Sequence, residues 1–306
     1  MPSPPAENTA TPEPTEYAYL IAGAGGMLGT ALQRVLTERG AAFSAASELE
    51  LDITDPVAVR HRLTEFAVGL APETRGVVIN AAAYTNVEGA EDHEDLAYLV
   101  NSHGPALLAR DARENGLGFV HVSTDFVFDG RKPGAYAESD DTNPLSVYGA
   151  SKLAGELAVE LEYPDAIIVR TAWVFGPCGA NFPVKIVAAA RTRPTLSVVV
   201  DEVGSPTYTI DLAAGLLGLV DAGATGLYHL AGAGSCSRFD LATRVLALAG
   251  LGDVIVEPVT GDAFPTKAER PMNSVLDCSK AAALGVVMPE WSDALGRFVA
   301  SGALEA

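Results

Sequence analysis

Basic residues are scarce in this chain: 20 Lys and Arg stand against 39 Asp and Glu, a formal net charge of −19 over 306 residues. Nucleic acid and anionic membrane surfaces are thereby excluded as general partners, because both bind through clustered cations. A small anionic ligand needs only a local positive patch and stays open. Cysteine is equally sparse. Cys178, Cys236 and Cys278 are odd in number, widely spaced and in no metal-type pattern, which points to reduced thiols and a cytoplasmic location. The five histidines (His61, His93, His103, His121, His229) show no H-E-x-x-H or comparable ligand spacing, so no protein-bound catalytic metal is expected. No run of eighteen apolar residues occurs, so no membrane-spanning segment is expected. The opening sixteen residues, MPSPPAENTATPEPTE, hold five prolines, no Lys or Arg and no apolar run; they read as a disordered tail rather than a signal or transit peptide.

What is present is a chain with 48% apolar residues, enough to bury one large core or a large domain with a smaller lobe. EYAYLIAG (16–23) is a short apolar run ending at glycine, the pattern of a buried parallel strand. GMLGTALQRVLTERG (26–40) sets Leu28, Leu32, Val35 and Leu36 at helical spacing and stops at Gly40. AAFSA is a weaker second strand, and TDPVAVRHRLTEF (54–66) opens with capping residues and a proline, a helix start. GVVIN (76–80), GFVHVST (118–124) and AIIVRTAWVFG (166–176) are further strand-like runs, separated by helical stretches near 88–115 and 147–161. This order implies an α/β fold: a Rossmann-type doubly wound parallel sheet over residues 17–176. From 177 to 306 the alternation weakens. That part is expected to form mainly a smaller C-terminal α/β substrate lobe, with segments free to return to the main sheet.

GAGGMLG places Gly23, Gly26 and Gly29 between the first strand and the first helix. Glycines there permit a tight turn and close approach of a pyrophosphate, whose charge sits at the helix N-terminus. An NAD-preferring site usually ends its second strand on an acid facing the ribose 2′-hydroxyl. Ser44 and Ser47 occupy that region, Glu48 lies further along, and no arginine clamp is evident. NADPH or NADH is therefore expected, with NADPH weakly favoured.

NPLSVYGASKLAGE (143–156) holds a tyrosine four residues ahead of a lysine, so Tyr148 and Lys152 share a helix face. Alone, such a pair is as readily a solvated one. VHVSTDF supplies a third element, a strand ending in Ser123, Thr124 and Asp125, where a doubly wound sheet opens its ligand crevice. Together, the glycine turn, NAAAYT, STD and Tyr-x-x-x-Lys resemble the extended short-chain dehydrogenase/reductase superfamily. LDITDP (51–56), NAAAYTNVEGAE (80–91), VSTDFVFDG (122–130), VRTAWVFG (169–176), VVVDEVGSPTYTIDLA (198–213) and RPMNSVL (270–276) narrow this to a resemblance to the dTDP-4-dehydrorhamnose reductase family, in order from about 17 to 300.

The resemblance implies a proton donor at Tyr148, its partner cation at Lys152 and a carbonyl-contacting hydroxyl at Thr124 with Asp125 beside it. It implies a sugar contact at Trp173, a pyrophosphate turn at Gly26, Met27 and Leu28, and an adenine contact at Asp52 and Ile53. It also implies a cofactor-lining loop at Ala83, Tyr84 and Thr85, and a helix asparagine at Asn101 of structural role. Phe126 departs from the tyrosine common in the family. The implied reaction reduces the C4 ketone of a dTDP-4-keto-6-deoxy-L-sugar with NAD(P)H. Negative charge then develops on oxygen and a proton must arrive. A free phenol lies about 3 units, roughly 4 kcal/mol, above neutral pH, and an ammonium about 4 Å away offsets a similar amount. Lys152 is therefore expected to make Tyr148 unusually acidic. Lys185, Arg191 and Arg270 are candidate cations for the substrate diphosphate. Phe126 has no proton to give, which disfavours a 4,6-dehydratase. A streptose-pathway ketoreductase and a non-catalytic, NADP-binding regulatory subunit of methionine adenosyltransferase remain open, as do a homodimer and a bridging Mg2+ that the sequence does not itself indicate.

Overall fold

The computed structural model describes residues 16–304, so the proline-rich opening lies outside the described residues. The first half runs β1 (Glu16–Ala22), α1 (Met27–Arg39), β2 (Ala42–Ala46), α2 (Pro56–Val68), β3 (Thr74–Asn80), α3 (Val87–Ala90), α4 (Glu94–Tyr98), α5 (Gly104–Glu114), β4 (Gly118–Thr124), α6 (Val147–Glu162) and β5 (Ile167–Thr171). A π turn (Leu99–His103) joins α4 to α5. Local chemistry sets several of these bounds. Gly40, at φ +66°, ends α1 by donating to the Leu36 and Thr37 carbonyls. Asp55 caps the Val57 and Ala58 N–H groups, and Pro56 opens α2 where no donor is needed. Ser146 caps α6 by accepting from the Gly149 N–H.

The second half runs β6 (Val174–Phe175), α7 (Phe182–Ala190), β7 (Thr195–Val199), β8 (Val203–Gly204), β9 (Thr207–Tyr208), α8 (Thr209–Asp221), β10 (Gly226–His229), β11 (Cys236–Ser237), α9 (Arg238–Leu248), β12 (Ile255–Val259), α10 (Ser279–Ala282) and α11 (Trp291–Ala300). The main sheet has six parallel strands in the order β2-β1-β3-β4-β5-β10. The chain leaves β1 to one side for β2 and to the other for β3, so a crevice opens at their carboxyl ends. One face is covered by α1 and α8 through Leu32, Leu36, Leu212 and Leu216. The other is covered by α2, α5 and α6 through Leu63, Leu108 and Val159. Strands buried on both faces explain the continuous apolar runs of β1 and β3.

Part of the second half thus returns to the main sheet. Leu212, Leu216, Leu217 and Leu219 of α8 have no exposure, and β10 pairs with β5. The rest packs around Phe175, Leu241, Val245 and Phe298 as a separate cluster built on short strand pairs. The run 166–176 is not one strand, as its apolar pattern suggests. It breaks after Thr171, Trp173 adopts φ +45°, and Val174–Phe175 turns away to pair with β9. No helix among the described residues is long and apolar enough to cross a membrane.

Two glycines decide how closely α6 approaches the strand ends. A Cβ at Gly155 would lie under 3.0 Å from the Asn101 carbonyl oxygen of the π turn, and one at Gly149 under 3.0 Å from the Phe126 carbonyl oxygen. Gly155→Ala is expected to lift α6 from the π turn and cost about 1–3 kcal/mol, as overpacking does. A calorimetric melt should show Tm falling by roughly 2–10 °C.

Candidate active site

The glycine turn is the first wall of the crevice. Gly23 stands at φ +82°, and a Cβ there would lie 2.6 Å from the Ala82 nitrogen at the end of β3. Gly26 caps α1 without any side-chain hydrogen bond, and the first turn holds no acidic residue. Open N–H groups and the helix dipole thus face the crevice, which suits a dinucleotide's pyrophosphate. Gly29 is buried, its Cβ position blocked by the Gly23 carbonyl oxygen, so helix and strand meet closely. Met27 is touched from the second lobe by Asn181, whose Nδ2 is 3.9 Å from its sulfur.

The β3 end continues the wall. Asn101, wholly buried in the π turn, accepts from the Tyr84 N–H (2.8 Å) and donates to the Tyr84 carbonyl (3.0 Å) and the Ser151 hydroxyl (3.0 Å). It therefore ties the Ala83–Thr85 loop to the turn of α6 that carries Lys152, a structural role as expected. Glu91, at the end of the same loop region, accepts from the Val147 N–H and fills an open donor at the start of α6. Ile53 packs under Gly104, whereas Asp52 is exposed and its carboxylate accepts from the Thr54 N–H and hydroxyl.

Thr124 closes β4. Its hydroxyl donates to Asp125 (3.0 Å) and accepts from the Phe126 N–H (3.2 Å), and it stands beside the Tyr148 phenol. The Phe126 ring meets Tyr148 edge-on, centroids 5.5 Å apart. Lys152, only 2% exposed, donates from Nζ to the Val122 carbonyl at 2.7 Å. The expected acidic phenol is not what these positions produce. Burial pushes the Tyr148 pKa up to about 12; the Thr124 hydroxyl opposes the rise and the Asp125 charge adds to it. The ammonium turns to a backbone carbonyl instead, and burial lowers its own pKa to about 8 against the pull of Glu156. Spacing on a helix put the two side chains on one face but could not reveal this competing acceptor.

Beneath the pair lies a charge network that the sequence did not disclose. Glu156 accepts from Arg170 through Nε (2.9 Å) and Nη2 (2.7 Å) and from the Ser123 hydroxyl (2.5 Å), all buried. His121, also buried, is held neutral by desolvation and by the Lys152 charge, and meets Asn80 at 3.1 Å.

The second lobe contributes Trp173, whose Nε1 donates to Ser274 at 3.1 Å. Arg238 lies over its ring, 3.4 Å from the centroid, and donates from Nε to Glu202 at 3.3 Å. The three diphosphate candidates fare differently. Arg191 donates to the Leu304 carbonyl and Arg270 pairs with Glu88, while Lys185 is exposed on α7. At the end of β2, Glu50 accepts from the Ser47 N–H and hydroxyl, and Arg62 of α2 donates to Ser44. An acid and an arginine thus both flank that strand end, although neither follows it directly in sequence. Among the described residues, no three His, Cys, Asp or Glu side chains converge as a metal site.

A doubly wound sheet, a bare glycine turn at its switch point and a Tyr-x-x-x-Lys helix beside a strand-end threonine define a dinucleotide-binding oxidoreductase of the short-chain dehydrogenase/reductase kind. The RmlD substrate binding domain model matches residues 18–303, and the chain belongs to that family, the dTDP-4-dehydrorhamnose reductases. It is 40% identical to a dTDP-4-dehydrorhamnose reductase of Mycobacterium tuberculosis over 93% of both chains. It is 39% identical to a dTDP-4-keto-6-deoxy-D-glucose reductase of Streptomyces niveus, over 90% of this chain and 94% of that one. The crystal structure of a Bacillus anthracis dTDP-4-dehydrorhamnose reductase in complex with NADP superposes with a TM-score of 0.88 at 34% identity, covering 94% of this chain and 99% of that one.

Asp125 yields a pH test. Burial raises its carboxyl to about 6 from 3.8, while the Ser274 and Thr124 hydroxyls and the Arg238 charge pull the other way; Oδ2 closes no hydrogen bond. The ionised form is the disfavoured one in the fold. The carboxyl's contribution is therefore intact below pH 4 and lost as pH rises through 6, about 3 kcal/mol in all. In denaturant titrations from pH 4 to 8, Asp125→Asn should gain about 2–3 kcal/mol relative to the parent. A difference independent of pH would contradict the buried-carboxyl assignment.

Proposed function

We propose that this protein reduces the C4 ketone of a dTDP-4-dehydro-6-deoxy-L-sugar, with dTDP-4-dehydrorhamnose as the reference substrate, using NADPH or NADH. The observation that carries this is the Tyr148 phenol beside the Thr124 hydroxyl at the carboxyl end of β4, one helical turn from a buried ammonium. The dinucleotide, when bound, supplies hydride. Gly23, Gly26, Met27, Leu28 and Gly29 would hold its pyrophosphate, Asp52 and Ile53 its adenine side, and Ala83, Tyr84 and Thr85 its flank.

The chain's own residues then manage one proton. With a pKa near 12 the phenol keeps its proton at neutral pH, so Tyr148 is loaded as a donor. As charge grows on the substrate oxygen, Tyr148 releases that proton to it, and the Thr124 hydroxyl turns from Asp125 to donate its hydrogen bond to the same atom. The tyrosinate left behind needs a cation. Lys152, charged below about pH 8, provides it by exchanging the Val122 carbonyl for the phenolate. Before substrate arrives Asp125 accepts that hydrogen bond from Thr124, and Arg62 beside Ser44 favours a 2′-phosphate and hence NADPH.

Incubation with dTDP-4-dehydrorhamnose made in situ, with NADPH and NADH offered separately, should give dTDP-L-rhamnose, identified by chromatography against a standard. Tyr148→Phe should lower kcat by at least about 100-fold, the share of a general acid, while cofactor affinity stays within a few-fold. Full turnover by that variant would remove Tyr148 from the reaction.

A further inference from the structure

The Trp173 indole is closely packed in this structure. A Cβ placed on Gly204 would lie under 3.0 Å from Cε2, Nε1 and Cδ2 of the indole at once, so the Gly204 backbone rests against the ring plane. The Arg238 guanidinium lies 3.4 Å from the ring centroid. The indole N–H is taken as well, by Ser274.

Arg238 is itself held at several points. It is the first residue of α9, whose start is fixed by a capping box between Ser237 and Asp240. Its N–H donates to the Glu202 carbonyl, and Phe182 lies 5.2 Å from the guanidinium on another side. Glu202 takes only Nε, at 3.3 Å. Among the described residues, neither terminal nitrogen has a hydrogen-bond partner, and the side chain is 21% exposed. A planar fork with both tips free, backed by an aromatic face, matches the oxygens of a phosphate. Trp173 beneath it packs against the cluster of Val127 and Phe128, which follow Thr124 and Asp125 in the chain, so the fork stands beside the end of β4. By contrast, Arg191 and Arg270 already have partners elsewhere.

We propose that Arg238 is a substrate-binding residue that takes a phosphate of the nucleoside diphosphate through its two terminal nitrogens, with Trp173 as the platform that aims it. This rests on the nucleotide-sugar reading above. In a chain of net charge −19 it supplies the local positive spot that a dianionic ligand requires.

Calorimetric titration of the full chain with dTDP, and separately with NADP+, tests it. Arg238→Met keeps an apolar stem on Trp173 and removes the fork; Arg238→Lys keeps the charge without the fork. The Met variant should bind dTDP roughly ten- to a hundredfold more weakly, the range of one charge-assisted pair, and the Lys variant should fall between. NADP+ affinity should stay within about twofold in both, which also reports folding. If the Met variant loses NADP+ binding, the Lys variant carries the comparison. Unchanged dTDP affinity, with keto-sugar turnover intact in the parent, overturns the role of Arg238 alone. Absence of turnover in the parent counts against the reaction, and the dTDP titration still decides Arg238.

Discussion

A lysine ammonium with 2% exposure has to remain charged at the floor of this crevice, and much of the surrounding structure follows from that. Removing an ammonium from water costs several kcal/mol unless partners replace the lost hydration. The Val122 carbonyl gives one hydrogen bond, and Glu156, a helical turn further on, gives the opposing charge. Glu156 is buried too and accepts from Arg170 through two nitrogens and from the Ser123 hydroxyl. Arg170 in turn stacks over Phe128 at 5.0 Å. The strands β4 and β5 and the helix α6 are thus bound together by a single chain of charges, and α6 cannot shift without leaving one uncompensated.

Close approach is the second constraint. Gly155 lets α6 sit on the Asn101 carbonyl, and Gly29 lets α1 sit on the glycine turn. Asn101 then connects the Tyr84 loop to Ser151, so the β3 end and the helix that carries Tyr148 and Lys152 share one support. At the far wall Trp173 holds φ +45°, a backbone state costing on the order of 1–3 kcal/mol for a non-glycine residue. Its ring and carbonyl contacts hold it there: Ser274, Gly204, Arg238 and the Thr207 N–H. Strain kept by so many contacts, at the junction between the main sheet and the lobe, is typical of a ligand-binding position.

Local patterns carried the sheet, the glycine turn and the Tyr148–Lys152 helix into view, because a two-sided apolar strand, a capped helix and an i, i+4 pair are each written within a few residues. The same reading placed Thr124 at a strand end and set Phe126 apart as unable to donate a proton. It did not show that the apolar run 166–176 breaks at Trp173, since hydropathy is blind to φ. It named Arg191 and Arg270 as candidate diphosphate cations and passed over Arg238, because the groups that occupy the first two, Leu304 and Glu88, come from distant segments.

The sequence by itself determined the class of fold, the place of the glycine turn and the side chains proposed here to react, all properties of short stretches. Only the tertiary structure decided their electrical state. Burial raised Tyr148 and Asp125 and lowered Lys152, and a carbonyl of β4 claimed the ammonium expected on the phenol. Desolvation and competition for a hydrogen-bond partner depend on everything packed around a group, and no spacing along the chain records that.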